Sequence, residues 1–78
     1  KPRLHIRGMR GPEAMKEVMH YLDNALASGL NQVEIIHGKG EGILKKLVHA
    51  HLDRRPDVRD YKLAPPDQGG AGVTIVRL

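Results

Sequence analysis

The chain has no cysteine, no tryptophan and no phenylalanine, and its aromatic complement is two tyrosines, Tyr21 and Tyr61. Without cysteine there is no disulfide framework and no cysteine metal site, and a cytoplasmic setting is the natural expectation. Two aromatic rings give little for recognition of single strands by base stacking. No apolar run approaches the ~20 residues of a membrane span, and no signal peptide is visible. No His-Glu-x-x-His pattern and no Ser-His-Asp arrangement can be read either. Acidic residues are in the minority, 9 against 13 lysines and arginines, for a formal charge of +4. That balance favours an anionic partner such as nucleic acid. At 78 residues the chain is one small domain with a modest core. Lys1 in place of a start methionine reads as a fragment of a longer protein, whose partner domains are not in view.

The apolar pattern predicts the order β-α-β-α-β-β. Leu4-His5-Ile6-Arg7 alternates as a half-buried strand does. Gly8 to Gly11 make a turn, and Pro12 suits the first position of a helix. Met15, Val18, Met19, Leu22, Ala25 and Leu26 recur at helical spacing until Gly29 stops them. Val33 to Ile36 is nearly all apolar, as expected mid-sheet. A second amphipathic helix carries Ile43, Leu44, Leu47, Val48 and Leu52 and ends near Pro56. Val58 to Leu63 reads as a polar edge strand, Ala64 to Gly72 as a loop, and Val73 to Leu78 as a closing strand. Right-handed crossovers in one direction across the sheet put both helices on the same face, with the strands around Ile35 and Ile75 central.

The most informative run is His37-Gly38-Lys39-Gly40-Glu41-Gly42, at a strand-to-helix turn. Such a turn presents unpaired backbone N–H groups and the positive end of a helix dipole, which suits a phosphate. The glycines let backbone approach the anion, Lys39 adds charge, and His37 can move a proton near neutral pH. The competing reading is a plain tight turn. The run is not a P-loop, since no Ser or Thr follows Lys39, nor a dinucleotide fingerprint, since position 43 is Ile43. The carboxyl edge of the parallel strands also collects His5 and Arg7, two apart and so on one strand face. An arginine fork matches a phosphodiester, and His5 with His37 could act as acid and base. Arg10 and Arg3 flank this edge as electrostatic groups.

The remaining polar residues read more plainly. His49 and His51 are two apart on a helix, point to different faces and make a poor metal pair. His20 reads as solvated. Lys45, Lys46, Arg54 and Arg55 read as a solvated helix face, with a phosphate-tracking stripe as the alternative.

Three ordered motifs carry a family resemblance over essentially the whole chain. They are Leu4-His5-Ile6-Arg7-Gly8, Ile36-His37-Gly38-Lys39-Gly40-Glu41-Gly42 and Gly69-Gly70-Ala71-Gly72-Val73-Thr74-Ile75-Val76. The chain resembles the small MutS-related (Smr) domain, above all the version at the C-terminus of the second bacterial MutS paralogue. The resemblance implies a two-layer α/β fold like the C-terminal domain of translation initiation factor three, with a four-stranded mixed sheet and both helices on one face. It also implies nucleic-acid binding, with nicking endonuclease or ribonuclease activity in some members. The parent proteins carry an ATPase domain and are implicated in suppressing recombination and in clearing collided ribosomes. Branched DNA and ribosomal RNA are therefore the expected partners.

One departure matters. The family's first motif usually carries Asp, often treated as catalytic, where this chain has His5. A nuclease assisted by Mg²⁺ or Mn²⁺ needs carboxylates, and this edge offers mainly Glu13 and Glu41. Three expectations follow: a metal bound another way, metal-free acid–base catalysis by His5 and His37, or binding without cutting. As a nuclease the domain would use His37 for proton transfer, His5 as a second acid–base group, and Arg7 and Lys39 to stabilise phosphate charge. As a docking module it would use the same loop, Gly38, Lys39, Gly40 and Gly42, with Arg10 and the basic edge, through charge alone.

Overall fold

A computed structural model describes residues 2–78. Strand β1 (Arg3–His5) leads into helix α1 (Gly11–Ala27), strand β2 (Gln32–Ile36) and helix α2 (Ile43–Asp53). Strand β3 (Asp60–Leu63) and strand β4 (Val73–Arg77) follow, separated by two 3₁₀ turns at Pro66–Gln68 and Gly70–Gly72. The sheet order is β1-β2-β4-β3. Strand β1 is parallel to β2, and β4 is antiparallel to both β2 and β3. The first three strands therefore run the same way, and β4 returns between the second and third.

Helix α1 follows from its sequence. Pro12 and Glu13 suit a first turn, the one for its fixed φ and missing N–H, the other for its charge. Ala14, Val18, Leu22 and Ala25 then fall on one buried stripe. The helix closes with the Leu30 N–H on the Ala25 carbonyl and the Gly29 N–H on the Leu26 carbonyl, the paired bonds of a Schellman stop. Helix α2 buries Val48 and Leu52. These side chains meet Ile6, Val33, Ile35 and Val76 in one core cluster, so both helices cover the same face. Burying each of the larger aliphatic groups stabilises the fold by about 1.5–3 kcal/mol.

Several boundaries differ from the sequence expectation. Paired strand β1 ends at His5, although the Ile6 N–H still donates to the Ile36 carbonyl. Arg7 lies in a turn closed by the Met9 N–H on the Ile6 carbonyl, so strand alternation does not carry from His5 to Arg7. Helix α2 stops at Asp53, where the Arg54 and Arg55 N–H groups tighten onto the carbonyls of His51 and Leu52 before Pro56. Strand β3 is confined to Asp60–Leu63 but takes the expected edge position. The stretch between β3 and β4 is ordered by its 3₁₀ turns. Ala64, Val73 and Ile75 form a second small cluster with Ile36.

Arg55 is also not a solvated residue. Its guanidinium bonds Asp23 of α1 at 2.8 Å and Asp57 at 2.9 Å, and its side chain is 14% exposed. It ties the end of α2 to α1.

Candidate functional site

The carboxyl ends of β1 and β2 and the N-termini of both helices meet at one edge of the sheet. Between them lies a cleft of about 580 Å³, lined by residues 7–11 and 37–44. Two loops thus build it, one leaving each parallel strand. Neither helix has a side-chain cap there. Arg10 precedes α1 and Gly42 precedes α2, and neither offers a side-chain bond to the first turn. The first-turn N–H groups remain available to an anion. The glycine run makes this possible, since Gly38, Gly40 and Gly42 have φ of +82°, +32° and +79°.

The structure brings together most of the residues that the sequence points to. Arg7, Arg10, His37, Gly38, Lys39, Gly40 and Gly42 all line the cleft. His5 does not: it is exposed on β1, paired in register with Ile36. Arg7 separates from it because the chain has left the strand, and its side chain lies against Gly38. Lys39 packs against Gly72, which brings the loop before β4 up to the glycine run. Met9, Ile43 and Leu44 give the cleft an apolar wall, with Ile43 61% exposed.

His37 lies at the base of this cleft, only 5% exposed, with both ring nitrogens engaged. Its Nδ1 stands 2.9 Å from the Gly38 carbonyl oxygen and its Nε2 2.8 Å from Thr74 Oγ1. The same hydroxyl lies 2.8 Å from Nε2 of His49, on α2. The two imidazoles meet edge-on at 6.1 Å, and His49 stacks at a tilt on Tyr61, whose hydroxyl donates to Asp53. Burial pushes the pKa of His37 below the ordinary imidazole value, helped by Lys45 and opposed by the Gly38 carbonyl. Burial does the same to His49, reinforced by His37 and Lys45 and opposed by Asp53. Both shifts favour the neutral form of the two rings.

Sequence reasoning missed Thr74 and His49 as parts of the site. The signal for Thr74 was present: a hydroxyl inside the apolar run Val73-Thr74-Ile75-Val76 must find a partner when buried. His49 gave no such signal, because only the tertiary fold brings α2 over β4.

Among the described residues, no three His, Cys, Asp or Glu side chains converge so as to hold a metal ion. Among the described residues that line the cleft, Glu41 alone carries a carboxylate, and Glu13 is not one of them. Mg²⁺ or Mn²⁺ prefers a set of oxygen ligands that these side chains do not make, so the donors present do not fit a protein-held ion.

Taken together, a mixed four-stranded sheet with two helices on one face defines a two-layer α+β domain with a basic, glycine-built cleft at one edge. The family model for the Smr domain matches residues 4–78, and the chain belongs to that family. It is 44% identical over 78 residues to Endonuclease MutS2 of Thermomicrobium roseum, covering 100% of this chain and 10% of that protein. It is 47% identical over 77 residues to Endonuclease MutS2 of Halothermothrix orenii, covering 99% of this chain and again 10% of the relative. The chain thus spans about a tenth of the length of the curated relatives it matches. The crystal structure of the Smr domain of Thermus thermophilus MutS2 superposes with a TM-score of 0.97 at 38% identity, covering 100% of this chain and 98% of that one. YdaL, a stand-alone small MutS-related protein from Escherichia coli, matches with a TM-score of 0.93 at 35% identity, covering 97% of this chain and 63% of that one. No helix among the described residues is long and apolar enough to cross a membrane.

Proposed function

We propose that the domain binds nucleic acid at this cleft and nicks its phosphodiester backbone, on structured DNA or on RNA. The observation that carries the reading is the convergence of Arg7, Arg10, Lys39 and an uncapped glycine-loop helix start in one cleft. Arg7 and Lys39 neutralise the phosphate, the first by a fork of N–H donors and the second as a point charge. Backbone N–H groups of the loop complete the anion contacts. His37 also lines the cleft and, with burial lowering its pKa, is the proton-transfer candidate. Its ring must release the Gly38 carbonyl to reach a substrate. His5 serves as a second acid–base group only if the bound strand passes from the cleft across β1. A divalent cation bound with the substrate would supply further neutralisation of phosphate charge, and Glu41 is the cleft-lining carboxylate that could help to hold it. The name endonuclease borne by the relatives supports cleavage.

A specific observation favours a second reading, a docking module that binds branched DNA or ribosomal RNA without cutting. Both nitrogens of His37 are already bonded, and the ring is buried. In either reading we take the domain to serve a larger cytoplasmic protein with MutS-like ATPase domains, the parent that the resemblance implies.

The test is cleavage of labelled four-way-junction DNA and single-stranded RNA by the purified domain, with Mg²⁺, with Mn²⁺ and with EDTA, beside a His37→Ala variant. Cutting that survives EDTA on RNA and dies in the variant supports metal-free histidine chemistry. Cutting of DNA only with metal supports a cation held mainly by substrate. Salt-sensitive binding with no cutting makes the domain a docking module, and retained cutting in His37→Ala removes His37 from the mechanism.

A further inference from the structure

We propose that Thr74 and His49 are positioning residues for the glycine loop: together they lock His37 as its Nδ1–H tautomer, and that ring pins the Gly38 carbonyl. The functional half of this inference rests on the cleft being the nucleic-acid site. The hydrogen-bond half does not.

The tautomers follow from a count of hydrogens. A carbonyl oxygen only accepts, so the 2.9 Å contact between His37 Nδ1 and the Gly38 carbonyl places a proton on Nδ1. A neutral imidazole with Nδ1–H has a bare Nε2, which must accept. The Thr74 hydroxyl, 2.8 Å away, has one hydrogen and donates it there. Its oxygen is then free to accept, and the second 2.8 Å contact requires Nε2–H on His49. With both rings neutral, one assignment fills three contacts with three hydrogens and leaves no donor facing a donor. The two imidazoles are thereby held in opposite tautomers through one hydroxyl.

The lock has a consequence at the cleft. If His37 carried its proton on Nε2, the Nδ1 lone pair would face the Gly38 carbonyl oxygen at 2.9 Å, acceptor against acceptor, and the loop would have to move. Because the peptide is trans and planar, the direction of the Gly38 carbonyl also fixes that of the Lys39 N–H, which points the opposite way. Thr74 is fully buried, so water does not readily replace its hydroxyl. The loop is held from the same strand end by its backbone, since the His37 and Gly38 N–H groups both donate to the Gly72 carbonyl. The low pKa of both rings agrees with a network built for neutral imidazoles.

The experiment is long-range ¹H–¹⁵N correlation of the imidazole rings, which separates the two tautomers, at about pH 8, well above the ordinary histidine pKa of about 6.5. It is run on the wild type, Thr74→Val and Thr74→Ser. The wild type should show Nδ1–H at His37 and Nε2–H at His49. Thr74→Val should turn His37 into a tautomer mixture and weaken binding of labelled four-way-junction DNA or single-stranded RNA, whichever the wild type binds, about tenfold, while Thr74→Ser restores both. An Nε2–H signal at His37 in the wild type overturns the proposal even if Thr74→Val fails to fold. So does a Thr74→Val protein that changes tautomer but keeps wild-type affinity. If the wild type binds neither four-way-junction DNA nor single-stranded RNA, the nucleic-acid reading fails instead. The positioning role is then read from amide exchange at Lys39, where unchanged protection in Thr74→Val overturns it.

Discussion

Arg7 lies across Gly38 so closely that a β-carbon on residue 38 would stand 3.1 Å from Arg7 Cγ and 3.3 Å from Cδ. Gly38 also has φ of +82°, where an L side chain costs roughly 1–2 kcal/mol. Gly38→Ala therefore carries two penalties, one on the loop and one on the arginine that reaches over it. The flexible arginine yields more readily than backbone, so the variant should fold with a Tm several degrees lower. Its oligonucleotide affinity should fall further than that of Arg7→Ala alone. Wild-type affinity in Gly38→Ala would mean that the arginine's position over the glycine is irrelevant to binding.

Arg7 and Lys39 are exposed and make no ion pair among the described residues, so removing either charge should leave stability within about 0.5 kcal/mol. A side chain that neutralises one phosphate should, when replaced by alanine, reduce the slope of log affinity against log salt by about one. His5→Ala is the informative comparison, because His5 lies outside the cleft wall. It should change affinity less than Arg7→Ala, as titrations at several salt concentrations would measure. A larger effect of His5→Ala would place the bound strand across β1 and revive its acid–base role.

Stability should depend on pH through the histidines. Burial lowers the pKa of His37, His49 and His51 in the folded chain. Lys45 adds to this at His37 and His49, and Arg55 and Arg54 add to it at His51. Asp53 opposes it at His49, as do Asp23 and Asp57 at His51. The unfolded chain thus takes up protons first, near pH 6.5, and stability falls as pH drops below that value toward the folded pKa values. Each histidine contributes at most about 1.4 kcal/mol per pH unit in that window. Asp57, held low by Arg55, acts in a separate, more acidic window. Thermal melts from pH 8 to pH 5 should show a falling Tm, with a smaller fall in His49→Gln. A flat profile would mean that the buried rings titrate as freely as exposed ones.

The fold was legible because its signals are local. Pro12, Gly29 and the apolar stripes of both helices set the elements, and the apolarity of β2 and β4 set which strands are central. The glycine run marked the turn that opens the cleft, because a strand-to-helix turn exposes N–H groups whatever surrounds it. What the sequence could not show depends on contacts far along the chain. Strand alternation put Arg7 beside His5, whereas the turn at Ile6 sends Arg7 to Gly38. A solvated helix face suited Arg55 until the fold placed Asp23 next to it. His37 and Thr74 are 37 positions apart, and no periodicity announces that they are hydrogen-bonded.

The connection before β4 offers a paired test of how far the cleft depends on its support. Gly69 and Gly70 both have left-handed φ, +112° and +54°. A β-carbon at Gly70 meets nothing within 4 Å, but one at Gly69 runs into the side chain of Val73, with Val73 Cβ at 3.1 Å. Gly70→Ala should therefore cost only its backbone conformation, about 1 kcal/mol. Gly69→Ala adds overpacking of a buried residue and should cost about 2–4 kcal/mol. Val73 opens β4, and the Gly72 carbonyl beside it receives the N–H groups of His37 and Gly38. A shift of Val73 should thus pass directly to the glycine run. Gly69→Ala should lose oligonucleotide affinity at temperatures where it is still folded, while Gly70→Ala keeps it. Equal affinity in the two folded variants would show that the glycine run holds its shape without the strand behind it.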